Sequence, residues 1–339
     1  MENNTDLNSP IEANEENLQF TNRIDLSELQ AGVVAIRKEL HKVIIGQKNM
    51  IDMLIASILA NGHSLIEGVP GVAKTITAKL MAKTLDVGFS RIQFTPDLMP
   101  SDILGTSVYS MKTAEFDFKK GPIFSNIILI DEINRSPAKT QAALFEVMEE
   151  HQITIDGKTY KMPPPFLVFA TQNPIEQEGT YRLPEAQLDR FLFKIEIDYP
   201  TLEEEIEIIA THHARKDVKK IAVIDAVLSA AQVEKFQQLV QEILVEKHLI
   251  NYIAQIVAKT RENPFLYLGA SPRASLAILQ ASKAFAAIEG RDFVTPEDIK
   301  RSAIPVLQHR VIVTPEREME GVTSKQVINQ MLENIEIPR

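Results

Sequence analysis

Two kinds of hydrophobic pattern alternate along the first 200 residues of the chain. Apolar residues three and four positions apart, as in Leu26–Lys42 and Asn49–Asn61, are typical of amphipathic helices. Short apolar runs lie between such segments and are typical of buried strands. The candidate strands are Ser64–Glu67, Ser90–Phe94, Ile127–Asp131, Phe166–Thr171 and Lys194–Asp198. Strands that alternate with helices predict an α/β fold, in which a parallel five-stranded sheet lies between helices.

The strand pattern stops at Pro200, and apolar residues at helical spacing continue to the end of the chain. Two helices are predicted to start at Ser271-Pro272 and Thr295-Pro296, where a hydroxyl residue precedes a proline whose missing N–H is not needed. The predicted helices are Leu202–His213, Val233–Glu262, Pro272–Glu289, Pro296–His309 and Lys325–Ile335. This pattern predicts a separate, all-helical domain.

The chain divides into three predicted parts. Residues 1–24 are polar, rich in Asn and Glu and aperiodic, which is typical of a flexible arm. Residues 25–200 hold the α/β pattern, and residues 201–339 hold the helical pattern. Within the α/β part, residues 105–120 and 152–161 alternate around polar turns and predict two β-hairpins. These hairpins are either surface decoration or a contact surface for a partner.

A candidate phosphate-binding loop lies between the first predicted strand and a helical pattern that begins near Ile76. Its sequence is Gly68-Val69-Pro70-Gly71-Val72-Ala73-Lys74-Thr75. In a strand–loop–helix unit, backbone N–H groups surround the phosphates of a nucleotide, Lys74 reaches the terminal phosphates and the Thr75 hydroxyl ligates Mg²⁺. Ala73 stands where the general motif has glycine, and so we expect a negative φ there. A glycine-containing turn with a surface lysine is the alternative.

Two acidic residues, Asp131 and Glu132, follow the apolar run Ile127–Ile130 directly. In an open α/β sheet, ligands bind at the carboxyl ends of the strands. Asp131 is therefore a candidate ligand for Mg²⁺, and Glu132 is a candidate general base that deprotonates the attacking water. An acidic helix start after a core strand is the alternative, and the presence of both motifs in one chain makes that alternative much weaker.

The composition is that of a globular protein, with 45% hydrophobic and 24% charged residues in a chain of 339. A formal net charge of -10 argues against nonspecific binding to nucleic acid, which needs a basic surface. The absence of cysteine from the sequence excludes disulfides, thiolate metal sites and cysteine nucleophiles. No apolar stretch is long enough to cross a bilayer, and the acidic amino terminus is unlike a secretory signal, so we expect a cytoplasmic protein.

Four further motifs together resemble the MoxR family of AAA+ ATPases, from about Leu40 to about Arg310. They are Asp131-Glu-Ile-Asn-Arg135, Ala170-Thr-Gln-Asn173-Pro-Ile-Glu-Gln-Glu-Gly-Thr, Leu183-Pro-Glu-Ala-Gln-Leu-Asp-Arg190-Phe191 and Gly269-Ala-Ser-Pro-Arg273-Ala. Alanine before the lysine of the phosphate loop also fits this family. The resemblance implies a P-loop nucleotide-hydrolase core of the AAA+ type, followed by a helical lid domain.

The resemblance also implies roles for individual residues. Asn173 corresponds to the polar sensor that positions water near the terminal phosphate. Arg190 corresponds to the finger that reaches the nucleotide of a neighbouring subunit, and Arg182 is an alternative for that role. Arg273 corresponds to the second sensor, which reaches back from the helical domain to the same phosphates that Asn173 faces. The segment Ile44-Ile45-Gly46 is expected to flank the adenine and to offer it apolar packing.

The function that the resemblance implies is hydrolysis of ATP with Mg²⁺ by a ring, commonly a hexamer, that remodels other proteins as a chaperone does. Partners that carry a von Willebrand factor A-type domain are common in the family. Two alternatives stay open. One is a motor or loader that acts on nucleic acid, which the acidic net charge disfavours, and the other is a nucleotide-binding switch that hydrolyses too slowly for work. Stimulation of the ATPase activity by nucleic acid would favour the motor or loader. Negligible ATP turnover by the assembled protein would favour the switch.

Overall fold

A computed structural model describes residues 24–112, 114–173, 181, 183–215 and 220–337. The predicted arm, residues 1–24, therefore lies outside the described residues except for Ile24. The strands are β1 (Ser64–Gly68), β2 (Phe89–Gln93), β3 (Gly105–Ser110), β4 (Glu115–Lys120), β5 (Ile127–Asp131), β6 (Gln152–Ile155), β7 (Lys158–Lys161), β8 (Leu167–Gln172), β9 (Phe193–Ile197), β10 (Leu266–Leu268) and β11 (Ile312–Val313). The α-helices are α1 (Ser27–His41), α2 (Lys48–Leu59), α3 (Lys74–Thr84), α4 (Pro100–Leu104), α5 (Ala138–Glu150), α6 (Glu185–Leu188), α7 (Leu202–Arg215), α8 (Ala230–Glu242), α9 (Lys247–Glu262), α10 (Pro272–Ile288), α11 (Pro296–Leu307), α12 (Pro315–Met319) and α13 (Ser324–Glu333).

A parallel sheet of five strands forms the centre of the fold, in the order β2-β5-β8-β1-β9. Neighbouring strands pair in parallel, with Ser90 beside Ile128 and Leu65 beside Ala170. These five strands are the five that the apolar runs predicted, to within one residue at each end. The predicted fold class is confirmed, because helices separate the strands along the chain and the residues after β9 are mainly helical.

Alternate residues of the central strands face two hydrophobic cores. Along β5, Ile127 and Leu129 pack into one core, whereas Ile128 and Ile130 pack into the other. All four side chains are fully buried, which explains why this strand is an unbroken apolar run in the sequence. The first core includes side chains of α1, α2 and α3, and the second includes side chains of α4 and α5.

The helices that follow β9 share the first core with the sheet. The rings of Phe285 in α10 and Phe193 in β9 lie 6.0 Å apart between centroids. At the edge of this core, Asp52 of α2 pairs with Arg301 of α11 at 3.2 Å and with Arg37 of α1 at 2.8 Å. Side chains therefore tie the helical part to α1 and α2, while the division at residue 201 stays a prediction.

The structure differs from two predictions about the helical part. The single helix predicted over Val233–Glu262 is wrong, because α8 ends at Glu242 and α9 begins at Lys247. Between them, the Leu244 N–H donates to Asp292 at 3.0 Å, and the Leu244 carbonyl accepts from Val294 at 3.0 Å. Helical spacing along one segment carries no sign of such pairing with a distant loop. The antiparallel pair of β10 and β11 was not predicted, because strands of three and two residues leave no pattern.

Both predicted hairpins are present, as β3–β4 and β6–β7. They contact each other through the Ser107 hydroxyl, which donates to the Asp156 carboxylate, and through the rings of Phe118 and Tyr160, whose centroids lie 4.6 Å apart. The two hairpins therefore form one unit beside the sheet.

No helix in the described part of the chain combines the length and the apolar character that a membrane span requires.

Candidate nucleotide-binding site

The carboxyl ends of several parallel strands meet at one edge of the sheet, where a cavity of about 350 Å³ opens. The residues that line it are Pro70, Gly71, Ala73, Lys74, Thr75, Ile76, Arg91, Gln93, Asp131, Glu132, Thr171 and Asn173. The structure thus brings the predicted phosphate loop, the acidic pair and Asn173 together. This is the edge at which ligands bind in open α/β sheets.

The phosphate loop joins β1 to α3, which begins at Lys74. Backbone N–H groups in the first turn of a helix have no partner within the helix, and the helix dipole adds partial positive charge there, so this end suits a phosphate. The Lys74 ammonium folds back over the loop and donates to the Gly68 carbonyl at 2.5 Å. Gly71 has a φ of 91°, and among the described residues other than its chain neighbours no atom lies within 4 Å of the place that a Cβ would take. The backbone at Gly71 is therefore open to a ligand.

Ala73 does not have the negative φ that we predicted. Its φ is 64° and its ψ is 16°, which is the left-handed conformation. Its carbonyl accepts from the Thr77 N–H at 3.0 Å and from the Thr77 hydroxyl at 2.9 Å, and so it belongs to the start of α3. The chain must turn here to aim the helix at the cavity, and this requirement overrides the preference of alanine at a cost of about 1–2 kcal/mol.

Asp131 ends β5 with a carboxylate that is almost fully buried. Its Oδ2 pairs with Arg91 Nε at 2.5 Å, and its Oδ1 accepts from the Thr171 hydroxyl at 3.2 Å. A buried carboxylate needs such partners, because an uncompensated charge in the interior is costly. Carboxylate and hydroxyl oxygens are the ligands that Mg²⁺ prefers, and so Asp131 and Thr75 fit this ion. An ion bound to the Asp131 carboxylate would compete with the Arg91 guanidinium for its charge.

Glu132 has a left-handed backbone, with a φ of 57°. Such strain in a residue other than glycine is typical of functional sites, and here the Glu132 N–H donates to Thr171 Oγ1 at 3.1 Å. In the side chain, Oε2 accepts from Gln93 Nε2 at 2.8 Å and lies 3.0 Å from Arg135 Nε. Oε1 makes no hydrogen bond to any described residue. One carboxylate oxygen is thus held in place, and the other is available to accept a proton.

Several predicted binding residues do not line this cavity, namely Gly68, Val69, Val72, Ile44, Ile45 and Gly46. The side chains of Val72 and Ile44 are buried in the first core, so only the backbone of the loop at Val72 can contact a phosphate. Gly46 lies against Glu204 of α7, whose Oε1 would be 2.3 Å from an added Cβ. The adenine-flanking role of residues 44–46 therefore stays a prediction, with α7 as the neighbouring element.

The two predicted arginines lie together in a second cavity of about 440 Å³, and none of the described residues lines both cavities. Glu149 of α5 lies between them. Its Oε1 is 2.9 Å from Arg273 Nη2, and its Oε2 pairs with Arg190 Nη1. Arg190 Nη1 also donates to the Phe145 carbonyl at 2.6 Å. The alternative finger, Arg182, lies outside the described residues.

Arg273 does not line the cavity that contains Lys74, although the resemblance implies that it reaches the phosphates there. Arg273 is in the first turn of α10, and the packing of α10 against α2 and α9 directs this end toward the carboxyl end of α5. The ion pair with Glu149 is the result. In this structure, Arg273 therefore shares a surface with Arg190 and not a cavity with Lys74.

Comparison with known proteins agrees with this geometry. Residues 63–193 match the ATPase family associated with various cellular activities (AAA), and residues 258–331 match the AAA lid domain. The chain is 43% identical over 310 residues to Chaperone MoxR1 of Mycobacterium tuberculosis, a match that covers 89% of this chain and 81% of that protein. It belongs to the MoxR family of AAA+ ATPases.

Other MoxR relatives and a solved structure extend the match over most of the chain. Protein MoxR of Methylorubrum extorquens is 28% identical over 318 residues, covering 87% of this chain and 91% of that protein. A crystal structure from Cytophaga hutchinsonii, described as that of an ATPase candidate, superposes with a TM-score of 0.85 at 42% identity and covers 92% of this chain and 97% of that chain. This MoxR protein is an ATP hydrolase, and nucleotide binding is part of that activity.

Three residues of the MoxR site were not found from the sequence, namely Arg91, Gln93 and Thr171. All three lie at or near the carboxyl ends of β2 and β8, and each contacts Asp131 or Glu132. The sequence offered one indication of these three residues, because they lie in strands that were predicted to end at the edge where ligands bind. The strand order decides which side chains meet there, because β5 lies between β2 and β8 in the sheet.

Proposed function

We propose that this MoxR protein is a ring-forming ATPase that depends on Mg²⁺ and uses hydrolysis to remodel other proteins or protein complexes. The observation that supports this proposal is that the predicted site residues are separated between two cavities. Lys74, Asp131 and Glu132 line one cavity, whereas Arg190 and Arg273 line another. Each subunit thus supplies a nucleotide site and, on a different surface, the cations for the nucleotide of its neighbour.

The residues of the first cavity have distinct roles in the proposed reaction. Thr75 and Asp131 would hold Mg²⁺, which when bound would neutralise charge on the phosphates. Lys74 leaves the Gly68 carbonyl and binds the terminal phosphates. Glu132 Oε1 accepts a proton from water as the water oxygen bonds to the γ-phosphorus and the bond from that phosphorus to the bridging oxygen breaks.

Two amide side chains complete the arrangement of water and base. The amide of Asn173 can donate to the γ-phosphate and accept from the attacking water at the same time. Gln93 and Arg135 both contact Oε2 of Glu132, which leaves Oε1 for the proton. A base held in this way needs little reorganisation when the water loses its proton.

The trans role of the arginines makes assembly a part of catalysis. A guanidinium that binds a carboxylate can bind a phosphate in the same forked geometry, and so the contacts with Glu149 can be exchanged for contacts with a neighbouring nucleotide. A head-to-tail contact between subunits closes into a ring, for which we propose six subunits, as is usual for AAA+ proteins. An arginine finger accelerates phosphoryl transfer by about 10³–10⁵.

The dependence of turnover on protein concentration tests the shared site. We expect ATPase activity per subunit to rise as the protein is concentrated into the range where rings form by sedimentation or mass photometry. Arg190→Ala should assemble at the same concentrations and bind ATP, but its turnover should stay low throughout. A flat activity profile across the assembly transition would contradict the proposal.

The remodelling role depends on a contact surface for clients, which we assign to the two hairpins. The tip of β3–β4 exposes Tyr109 and Phe116, whose ring centroids lie 5.3 Å apart, and Met111 between the strands. Aromatic side chains of this kind are typical anchors for other proteins. The clients include proteins with a von Willebrand factor A-type domain, and the proposed compartment is the cytoplasm.

A trapped state tests the client surface. Glu132→Gln should bind ATP and hydrolyse it at least 100-fold more slowly, because the amide cannot accept the proton. Lys74→Ala should instead weaken ATP binding. The Glu132→Gln protein with ATP should retain client proteins, and adding Tyr109→Ser and Phe116→Ser should release them without changing ATP affinity. Equal capture with and without the two serine substitutions would argue against the hairpins.

A further inference from the structure

Arg310, which follows α11, is a buried arginine with all five of its N–H groups in use. Its side chain is 3% exposed. The five contacts are Nε to Asp189 Oδ1 at 2.7 Å, Nη1 to the carbonyls of Leu192 at 3.1 Å and Val306 at 2.6 Å, and Nη2 to the carbonyls of Asp189 at 3.0 Å and Phe191 at 2.6 Å. Four of the five acceptors belong to residues 189–192, the segment that carries Arg190.

Two neighbouring side chains reinforce these contacts. His309 Nε2 donates to the Phe191 carbonyl at 3.0 Å, and the Ser271 hydroxyl donates to Asp189 Oδ2 at 3.0 Å. The backbone is thus held on both sides of Arg190 by groups from the part of the chain that matches the AAA lid domain. A buried guanidinium is costly unless every donor is satisfied, and here a single short segment satisfies four of the five donors.

We propose that Arg310 is a positioning residue for Arg190. It fixes the carbonyls on both sides of Arg190, so that the guanidinium of Arg190 projects from the surface at the angle that a neighbouring nucleotide requires. The inference rests on the proposed function, in which Arg190 serves the adjacent subunit. Precise placement matters because a displacement of about 1 Å can lower a rate by about 10².

The Arg310 contacts also link two regions that bear on the same nucleotide. Residues 189–192 belong to the region that matches the AAA ATPase family, and Arg310 belongs to the region that matches the lid domain. Arg273, near Ser271 in the same lid region, shares Glu149 with Arg190. The contacts of Arg310 therefore couple the position of α10 and α11 to the segment that carries Arg190.

Mixed rings test this role separately from a general effect on folding. Lys74→Ala subunits lack a working nucleotide site but present an intact Arg190, whereas Arg190→Ala subunits have the reverse defect. Rings mixed from the two should recover activity at the interfaces where an intact Arg190 meets an intact Lys74. Arg310→Lys keeps a positive charge beside Asp189 but loses the fork that binds the carbonyls.

Arg310→Lys alone should keep its affinity for ADP within about twofold, form rings and lose at least tenfold in turnover, since about 1 Å of displacement suffices for such a loss. Mixed with Lys74→Ala, it should recover activity to the level reached by the Arg190→Ala mixture. Mixed with Arg190→Ala, it should recover none, because neither subunit presents a working finger. Asp189→Asn removes the charge of one acceptor and should give the same pattern of recovery more weakly. If Arg310→Lys does not fold, this variant tests the positioning role instead.

The outcomes separate this inference from the proposed function. If the Lys74→Ala and Arg190→Ala subunits fail to restore each other, the trans role of Arg190 is wrong, and the role of Arg310 falls with it. If they restore each other but Arg310→Lys is not restored by Lys74→Ala subunits, Arg310 supports the fold generally and the positioning role alone is overturned. Loss of ADP binding in folded Arg310→Lys would overturn it equally.

Discussion

His63, the residue before β1, should make the stability of this protein fall between neutral and mildly acidic pH. The ring is buried, its Nδ1 accepts from the Val168 N–H at 3.0 Å, and its Nε2 donates to the Met148 carbonyl at 3.1 Å. Only the neutral ring offers one acceptor and one donor. Burial lowers the pKa of His63 from 6.5 to about 4, with the Met148 carbonyl opposing this shift and the nearby His151 adding to it.

The sign and size of the effect follow from proton linkage. The folded pKa lies below the unfolded pKa, so the unfolded chain binds more protons between these two values, and folding loses stability as pH falls. The contribution is fully present above pH 6.5 and is lost progressively toward pH 4. The fall in the pKa from 6.5 to about 4 corresponds to about 3 kcal/mol in total, of which about 2 kcal/mol is lost by about pH 5.

The assay compares wild-type protein with His63→Gln by urea unfolding at several pH values from 7.5 to 5, at a concentration where the protein is monomeric. Glutamine stays neutral and can replace one of the two hydrogen bonds, so we expect a loss of about 1 kcal/mol at pH 7.5. The fall in free energy of unfolding from pH 7.5 to pH 5 should be about 2 kcal/mol smaller in the variant.

Two features make the comparison decisive. The buried His309 is present in both proteins, and so its own lowered pKa cancels in the difference. His212→Gln, on the exposed surface of α7, measures what an equivalent substitution does outside the core. If the pH profiles of wild-type protein and His63→Gln run parallel, burial does not hold His63 neutral and the argument is refuted.

Three further predictions concern the nucleotide site. Ala73→Gly should raise the free energy of unfolding by up to about 1 kcal/mol and preserve ADP binding, because glycine adopts the left-handed conformation without the steric cost of alanine; a lower melting temperature would contradict this. Arg91→Met should increase the stabilisation that Mg·ADP gives over metal-free ADP, measured as a shift in melting temperature, because the guanidinium no longer competes for Asp131; equal shifts would exclude that competition. Gln93→Leu should lower turnover but leave ATP affinity unchanged, since Gln93 donates to the carboxylate of Glu132 that acts in the chemical step and its other side-chain contact is a long one, 3.5 Å from Arg91 Nη2; a parallel loss of affinity would show a wider role.

The sheet could be predicted from the sequence because its strands are buried on both faces. Ile127–Ile130 pack alternately into two cores, and a segment of this kind must be apolar at every position. The acidic pair that follows was placed correctly for the same reason, since the end of an apolar strand in a parallel sheet is also the edge where ligands bind. At this strand, the local apolar pattern therefore indicates both that the segment is buried and where its carboxyl end lies in the fold.

The elements that were missed depend on contacts between distant residues. The break between α8 and α9 is set by backbone pairing of Leu244 with residues 292 and 294, and Arg91 enters the site because β2 lies beside β5. Ala73 is a different case. Its residue type suggested a negative φ, but the geometry of the loop imposes the left-handed conformation. For the helix break and for Arg91, the deciding interaction acts across the fold and leaves no trace in the spacing of neighbouring residues.

Arg273 shows why a motif alone does not decide which subunit an active-site residue serves. The motif identifies a guanidinium suited to phosphate, but its reach depends on where the first turn of α10 lies, and the packing of α10 on α2, α9 and α11 fixes that position. This packing places Arg273 beside Glu149 and Arg190, away from Lys74. In the proposed function, these two cations on one carboxylate serve the nucleotide of a neighbouring subunit. On that proposal, the packing of the helical part, and not the phosphate loop, makes catalysis depend on assembly.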